Sequence, residues 1–185
     1  MTLSELRADF GRHRMLAMPI AGTIGWTAAG ILGALLPVKA AALAMFICVG
    51  MVFLLGVVIG RLIGEPIIDS NRKNSELDNL FLLTVLMANL VWAIAVPFFL
   101  IEPTSLPLTL GILSGLMWVP LSWMIQHWIG LFHGIARTVL IVAAWYLFPD
   151  HRFVAIPAVI VAIYAISIVV LATRRLPAPP DLNAA

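Results

Sequence analysis

Six uninterrupted apolar runs, each close to the length that crosses a bilayer, leave this chain few folds to adopt. A helical span needs about 20 apolar residues, and the runs cover 15–36, 40–62, 80–101, 106–128, 131–148 and 154–173. They lack the period-two alternation of a lipid-facing barrel strand, so helices are expected. A helix also satisfies every backbone group within its own span, which hydrocarbon demands. The expected fold is therefore all-α: a polytopic membrane protein built as a compact bundle of six transmembrane helices. With 62% hydrophobic and only 11% charged residues among 185, there is no length left for a separate soluble domain. The lipid bilayer is the expected partner, and nucleic acid is not.

The basic residues orient the bundle. One side of the predicted topology collects Arg7, Arg12, Arg14, Arg61, Arg72, Lys73, Arg137, Arg174 and Arg175, and the other only Lys39 and Arg152. Both termini are therefore expected in the cytoplasm. Residues 1–14 read as a short amphipathic helix on the membrane surface, because Thr2-Leu3-Ser4-Glu5 has capping-box form and Leu3, Leu6 and Phe10 recur at helical spacing. No cleavable leader is expected there. Residues 15–173 form the transmembrane domain. Residues 174–185, with Pro177, Pro179 and Pro180, read as a disordered cytoplasmic tail. The connection 65–78 reads as a solvated cytoplasmic loop.

Glycines recur every four residues at Gly56, Gly60 and Gly64, at Gly111 and Gly115, and at Gly130 and Gly134. That spacing lets helix backbones approach closely in lipid, either within the chain or between copies of it as a homo-oligomer. Pro97 and Pro120 fall inside spans three and four, where each removes a helical hydrogen bond and favours a kink.

Polar and indole groups at membrane depth mark where function could sit. Trp26, Trp92 and Trp118 lie near span centres instead of at the interfaces, with Asn89 one turn before Trp92. On an ideal helix Gly111, Gly115, Trp118, Ser122 and Gln126 share a narrow arc, a stripe of small and polar groups that leads to the hairpin between spans four and five. There His127 and His133 flank a turn expected at Ile129-Gly130, and Arg137 shares a face with His133. Arg137 is expected to snorkel to the cytoplasmic headgroups, or else to pair with Glu65, Asp69 or Asp78, or with an anionic headgroup or substrate. The candidate cavity is thus Asn89, Trp92 and Trp118, with Ser122, Gln126, His127, His133 and Arg137 at its cytoplasmic mouth.

Catalytic patterns are lacking. The sequence contains no G-x-S-x-G elbow, phosphate-cradling loop or dinucleotide glycine pattern. The His127–His133 spacing matches no zinc signature, and Cys48 stands alone inside an apolar run. No enzyme activity, metal or cofactor is expected. A small solute or lipid-like molecule, bound or conducted through the bundle, is the expected cargo. The alternative is a membrane scaffold that self-associates through its glycine faces.

The run from Gly115 through Trp118, Pro120, Ser122, Gln126 and His127 to Trp128, continued by His133, Arg137 and Trp145-Tyr146-Leu147-Phe148-Pro149, resembles an uncharacterised family of small bacterial six-span integral membrane proteins, a domain of unknown function. The likeness extends from Leu3 to about Leu171. It implies a bacterial inner-membrane setting and carries no activity or catalytic residue with it. Small six-span urea and acetate channels are similar in size, but the N-P-A-P-L-G run of the acetate transporters does not occur here.

Overall fold

A computed structural model describes residues 2–65, 67 and 76–177. All regular structure among these is helical, and six stretches are long and apolar enough to cross a membrane: Ala17–Leu35, Val38–Leu62, Glu76–Ile101, Pro103–Ile125, Ile129–Leu147 and Pro149–Thr173. Helix α1 (Leu3–Phe10) precedes them, closed by the capping box in which Thr2 Oγ1 accepts from Glu5 N–H and Glu5 accepts from Thr2 N–H. Most of the expected 65–78 loop, with Asp69, and the tail beyond Pro177 lie outside the described residues.

Helix α2 (Ala17–Leu35) is the first span, and three of the other five are interrupted near their middles. The second runs as α3 (Val38–Gly50) and α4 (Val52–Leu62), the third as α5 (Glu76–Leu90) and α6 (Trp92–Ile101). The fourth follows a short turn at Pro103–Ser105 as α7 (Leu106–Gly115) and α8 (Trp118–Ile125). Proline explains the last break. Pro120 has no N–H to donate to Leu116 O and crowds it, and that carbonyl instead accepts from Val119, three residues on, at 3.1 Å. The fifth and sixth spans are α9 (Ile129–Leu147) and α10 (Arg152–Thr173).

Helices α2, α9 and α10 form the centre, with α7 and α8 packed on α9, α3 and α4 on α2, and α5 with α6 at the margin. Small residues allow the close approach of α2 to α10. A Cβ at Gly22 would lie 2.4 Å from Tyr164 Cζ, and one at Gly33 2.5 Å from Phe153 O. Lipid, not water, is the solvent this surface suits, since Leu43, Ile47, Leu54, Leu83, Val139 and Val169 all point outward.

Both ends of the described chain lie on one face. Arg174 Nη2 donates to Gly11 O at 3.0 Å and to His13 O, and Arg14 N–H donates to Glu65 Oε1 at 2.7 Å. Arg14 Nη1 also donates to Ala172 O. The N-terminal segment is thereby pinned across the ends of α4 and α10.

The hairpin between the fourth and fifth spans differs from the expected one. Its turn is Gln126–Trp128, and Ile129 and Gly130 already belong to α9. Gln126 sits at the end of α8 with φ 51°, a left-handed conformation in which its N–H still reaches Ser122 O. It therefore leaves the helical arc that was to aim it into the bundle, and it is exposed. Gln126→Gly is expected to stabilise the fold by about 1 kcal/mol, because a non-glycine residue bears that order of strain in this region. Thermal unfolding in detergent measures it.

Candidate functional site

Helix α9 carries Gly130, His133, Gly134 and Arg137 on one face, three and four residues apart, and all four are buried. The two glycines let α8 close on this face. A Cβ at Gly130 would stand 2.4 Å from Trp118 O, and one at Gly134 2.9 Å from Val119 Cγ2. The ring of His133 then stacks on Trp118, with centroids 3.9 Å apart and planes 12° from parallel.

Arg137 does not snorkel, and it does not sit at a mouth. It is 0% exposed, as is His133. Its Nε donates to Gly111 O at 2.7 Å, Nη2 to Ser114 Oγ at 3.0 Å, and Nη1 to Tyr164 Oη at 3.2 Å and His133 Nε2 at 3.4 Å. The guanidinium also lies 5.4 Å from the ring centroids of both Trp26 and Tyr164. Gly115 makes room for it, with a Cβ there only 2.8 Å from Arg137 Cδ. All these acceptors are neutral. Among the described residues no carboxylate comes within 4.0 Å of Arg137, and the expected pairing with Glu65 or Asp78 is not formed.

The same network fixes His133. Ser167 Oγ donates to Ile163 O at 2.8 Å, so at 2.9 Å it accepts from His133 Nδ1–H. Nε2 is left as the acceptor facing Arg137, and the ring is neutral. Neither Tyr164 nor Ser167 was singled out from the sequence. The available signal was their three-residue spacing inside span six, where two hydroxyls on one face need a polar neighbour.

Two cavities flank this cluster where one was expected. The first, about 800 Å³ with its mouth included, opens on the face that holds both chain ends. Phe10, Met15, Phe81, Leu121 and Trp118 form much of its wall, with Glu65 and Asp78 as its carboxylates. The second, about 620 Å³ on the same measure, holds Trp26, Asn89, Trp92 and Ser114. Met18, Met117 and Tyr164 belong to both linings and form the partition. Trp118 is thus separated from Asn89 and Trp92. Asn89 Nδ2 donates to Val85 O at 2.8 Å, and Trp92 stacks on Phe46 at 5.1 Å.

Breaks in three spans meet at the second cavity. Gly50 and Val52 flank the interruption at Met51, Val91 is the interruption of the third span, and Met117 lies in that of the fourth. All contribute to this one lining.

The remaining candidates lie elsewhere. Ser122 Oγ donates to His127 O at 2.6 Å and closes the hairpin. His127 Nδ1 accepts from Ile129 N–H at 3.3 Å, and desolvation, with the Arg174 cation second, holds its imidazole below the usual range. Of the glycines, Gly111 faces Ile141, Gly56 faces Met18 and Gly60 faces Glu65 O, all within the chain. Gly64, at φ +76°, has open space instead and serves the turn that ends α4.

A family model described as a family of unknown function (DUF7010) matches residues 3–174 of the chain. No curated protein and no solved structure matches it.

Proposed function

The chain belongs to this family of unknown function, and from that premise, which brings no activity with it, we propose that it binds a small solute in the mid-span cavity and passes it to the cavity beside Trp118. One observation carries this reading: the three interrupted spans converge on a single space. Irregular backbone at membrane depth is tolerated where it is buried in protein or lines a cavity, and broken helices surround the solute sites of many transporters. The partition of two methionines and a tyrosine supports a conduit, because thioether side chains change rotamer readily. On this reading the face with both chain ends is the cytoplasmic face of a bacterial inner membrane, supported by the excess of Lys and Arg there.

The scaffold alternative relied on free glycine faces. Gly56, Gly60, Gly111, Gly115, Gly130 and Gly134 all have close intrachain neighbours, which favours the solute reading.

The full chain reconstituted in liposomes tests it by flux of a panel of small ions and neutral solutes. Met117→Trp should reduce the flux of the permeant solute about tenfold by filling the partition. Equal fluxes for protein-bearing and empty liposomes across the panel would end this reading.

A further inference from the structure

We infer that the mid-span cavity takes a small monovalent anion, which the Tyr164 hydroxyl binds and for which Arg137 sets the sign of the site. This rests on the reading of that cavity as a solute site. It starts from the charge balance of the lining. Trp26, Asn89, Trp92, Ser114 and Tyr164 are its polar-capable side chains, and the lining contains no Asp, Glu, Lys or Arg among the described residues. Among the described residues, the fixed charge in contact with this lining is the guanidinium of Arg137. Three lining residues touch it: Ser114 and Tyr164 by hydrogen bonds, and Trp26 by its ring.

Neutral acceptors satisfy the hydrogens of Arg137 without cancelling its charge. In a low-dielectric bundle a unit charge acts over a long range, so the wall made by Trp26, Ser114 and Tyr164 carries a positive potential. A cation entering the cavity is repelled, and an anion is attracted.

Hydrogen-bond directions agree with this sign. Tyr164 Oη accepts from Arg137 and keeps its own proton to donate, a proton polarised by the neighbouring cation. Ser114 gives its proton to Leu110 O, so it offers none to a ligand. The indole N–H groups of Trp26 and Trp92 are donors only. Asn89 commits one amide N–H to Val85 O and keeps the other, beside its acceptor Oδ1. The protons left for a ligand are those of Tyr164, the two indoles and this second amide hydrogen.

The carboxylates Glu65 and Asp78 belong to the other cavity. There Glu65 is bound by Arg14 N–H and lies in the field of Arg174. Among the described residues, acidic charge lines the cavity on the far side of the Met18–Met117–Tyr164 partition and not this one.

Liposomes holding the full chain and loaded with potassium chloride would be diluted into a chloride-free medium. Valinomycin carries potassium as the balancing charge, and a chloride electrode reads the release. Glycerol entry is followed in parallel by light scattering, and sodium entry by a fluorescent indicator. Chloride release at least about tenfold above empty liposomes, with sodium at background, is the expected result. Tyr164→Phe, which removes only the hydroxyl, should reduce chloride release about tenfold while the protein still elutes as the wild type does. Glycerol passing without chloride would overturn the anion assignment and leave the proposed function standing. Sodium passing as fast as chloride, or chloride release unaltered in Tyr164→Phe, would overturn it as well. No flux of any of the three would remove both. The wild-type chloride-to-sodium ratio decides the matter independently of how the variant folds.

Discussion

Arg137→Ala is expected to destabilise the bundle by about 3–5 kcal/mol. The guanidinium joins three spans through four contacts, to Gly111 O and Ser114 on α7, Tyr164 on α10 and His133 on its own helix. Truncation leaves Ser114, Tyr164 and His133 without their donor and opens a cavity beside Gly115. Unpartnered buried polar groups cost about 1–3 kcal/mol each.

Part of this loss should be recoverable without charge. Arg137→Met restores most of the volume and removes a desolvated cation, so it is expected to lose about half as much as alanine. Arg137→Lys keeps the charge but lacks the fork that reaches Gly111 and Ser114 together, and should fall near alanine. Denaturant unfolding in detergent, read by tryptophan fluorescence, ranks the three. A loss below about 1 kcal/mol for alanine would mean that the spans do not depend on the guanidinium.

The spans were legible because hydropathy is a property of each segment alone. The expected 15–36 and 131–148 differ from Ala17–Leu35 and Ile129–Leu147 by one or two residues at each end. The break at Leu116–Met117 was foreshadowed by Pro120, whose ring crowds the carbonyl of Leu116. The interruptions at Met51 and Val91 had no such signal. No proline adjoins either, and Pro97 lies inside the unbroken α6.

What the sequence withheld was pairing between distant segments. Snorkelling was a fair expectation for an arginine near a helix end, but it loses when neighbouring helices offer acceptors. Ser114 and Tyr164 lie 23 and 27 residues away in sequence, and nothing local to Arg137 announces them. Gln126 shows a different limit: arc arithmetic holds only while the chain stays helical, and its left-handed backbone ends that.

Gly130→Ala is expected to cost about 3 kcal/mol or more, whereas Gly56→Ala should cost less than about 1 kcal/mol, although both glycines sit in four-residue repeats. The difference lies in what the added methyl meets. At Gly130 it would stand 2.4 Å from Trp118 O and 2.7 Å from Ser122 N, both backbone atoms of α8. That helix cannot yield locally, because its first turn carries Trp118 stacked on His133 and its last closes the hairpin through Ser122. Relief requires separating α8 from α9, which also pulls Trp118 off the ring and disturbs the neutral imidazole that accepts from Arg137. At Gly56 the nearest atom is the Sδ of Met18, the flexible end of an unbranched side chain that can swing aside. Parallel thermal unfolding of the two variants in one detergent gives the comparison. Equal losses would refute the view that the α8–α9 contact is the rigid part of the bundle and the Met18 partition its yielding part.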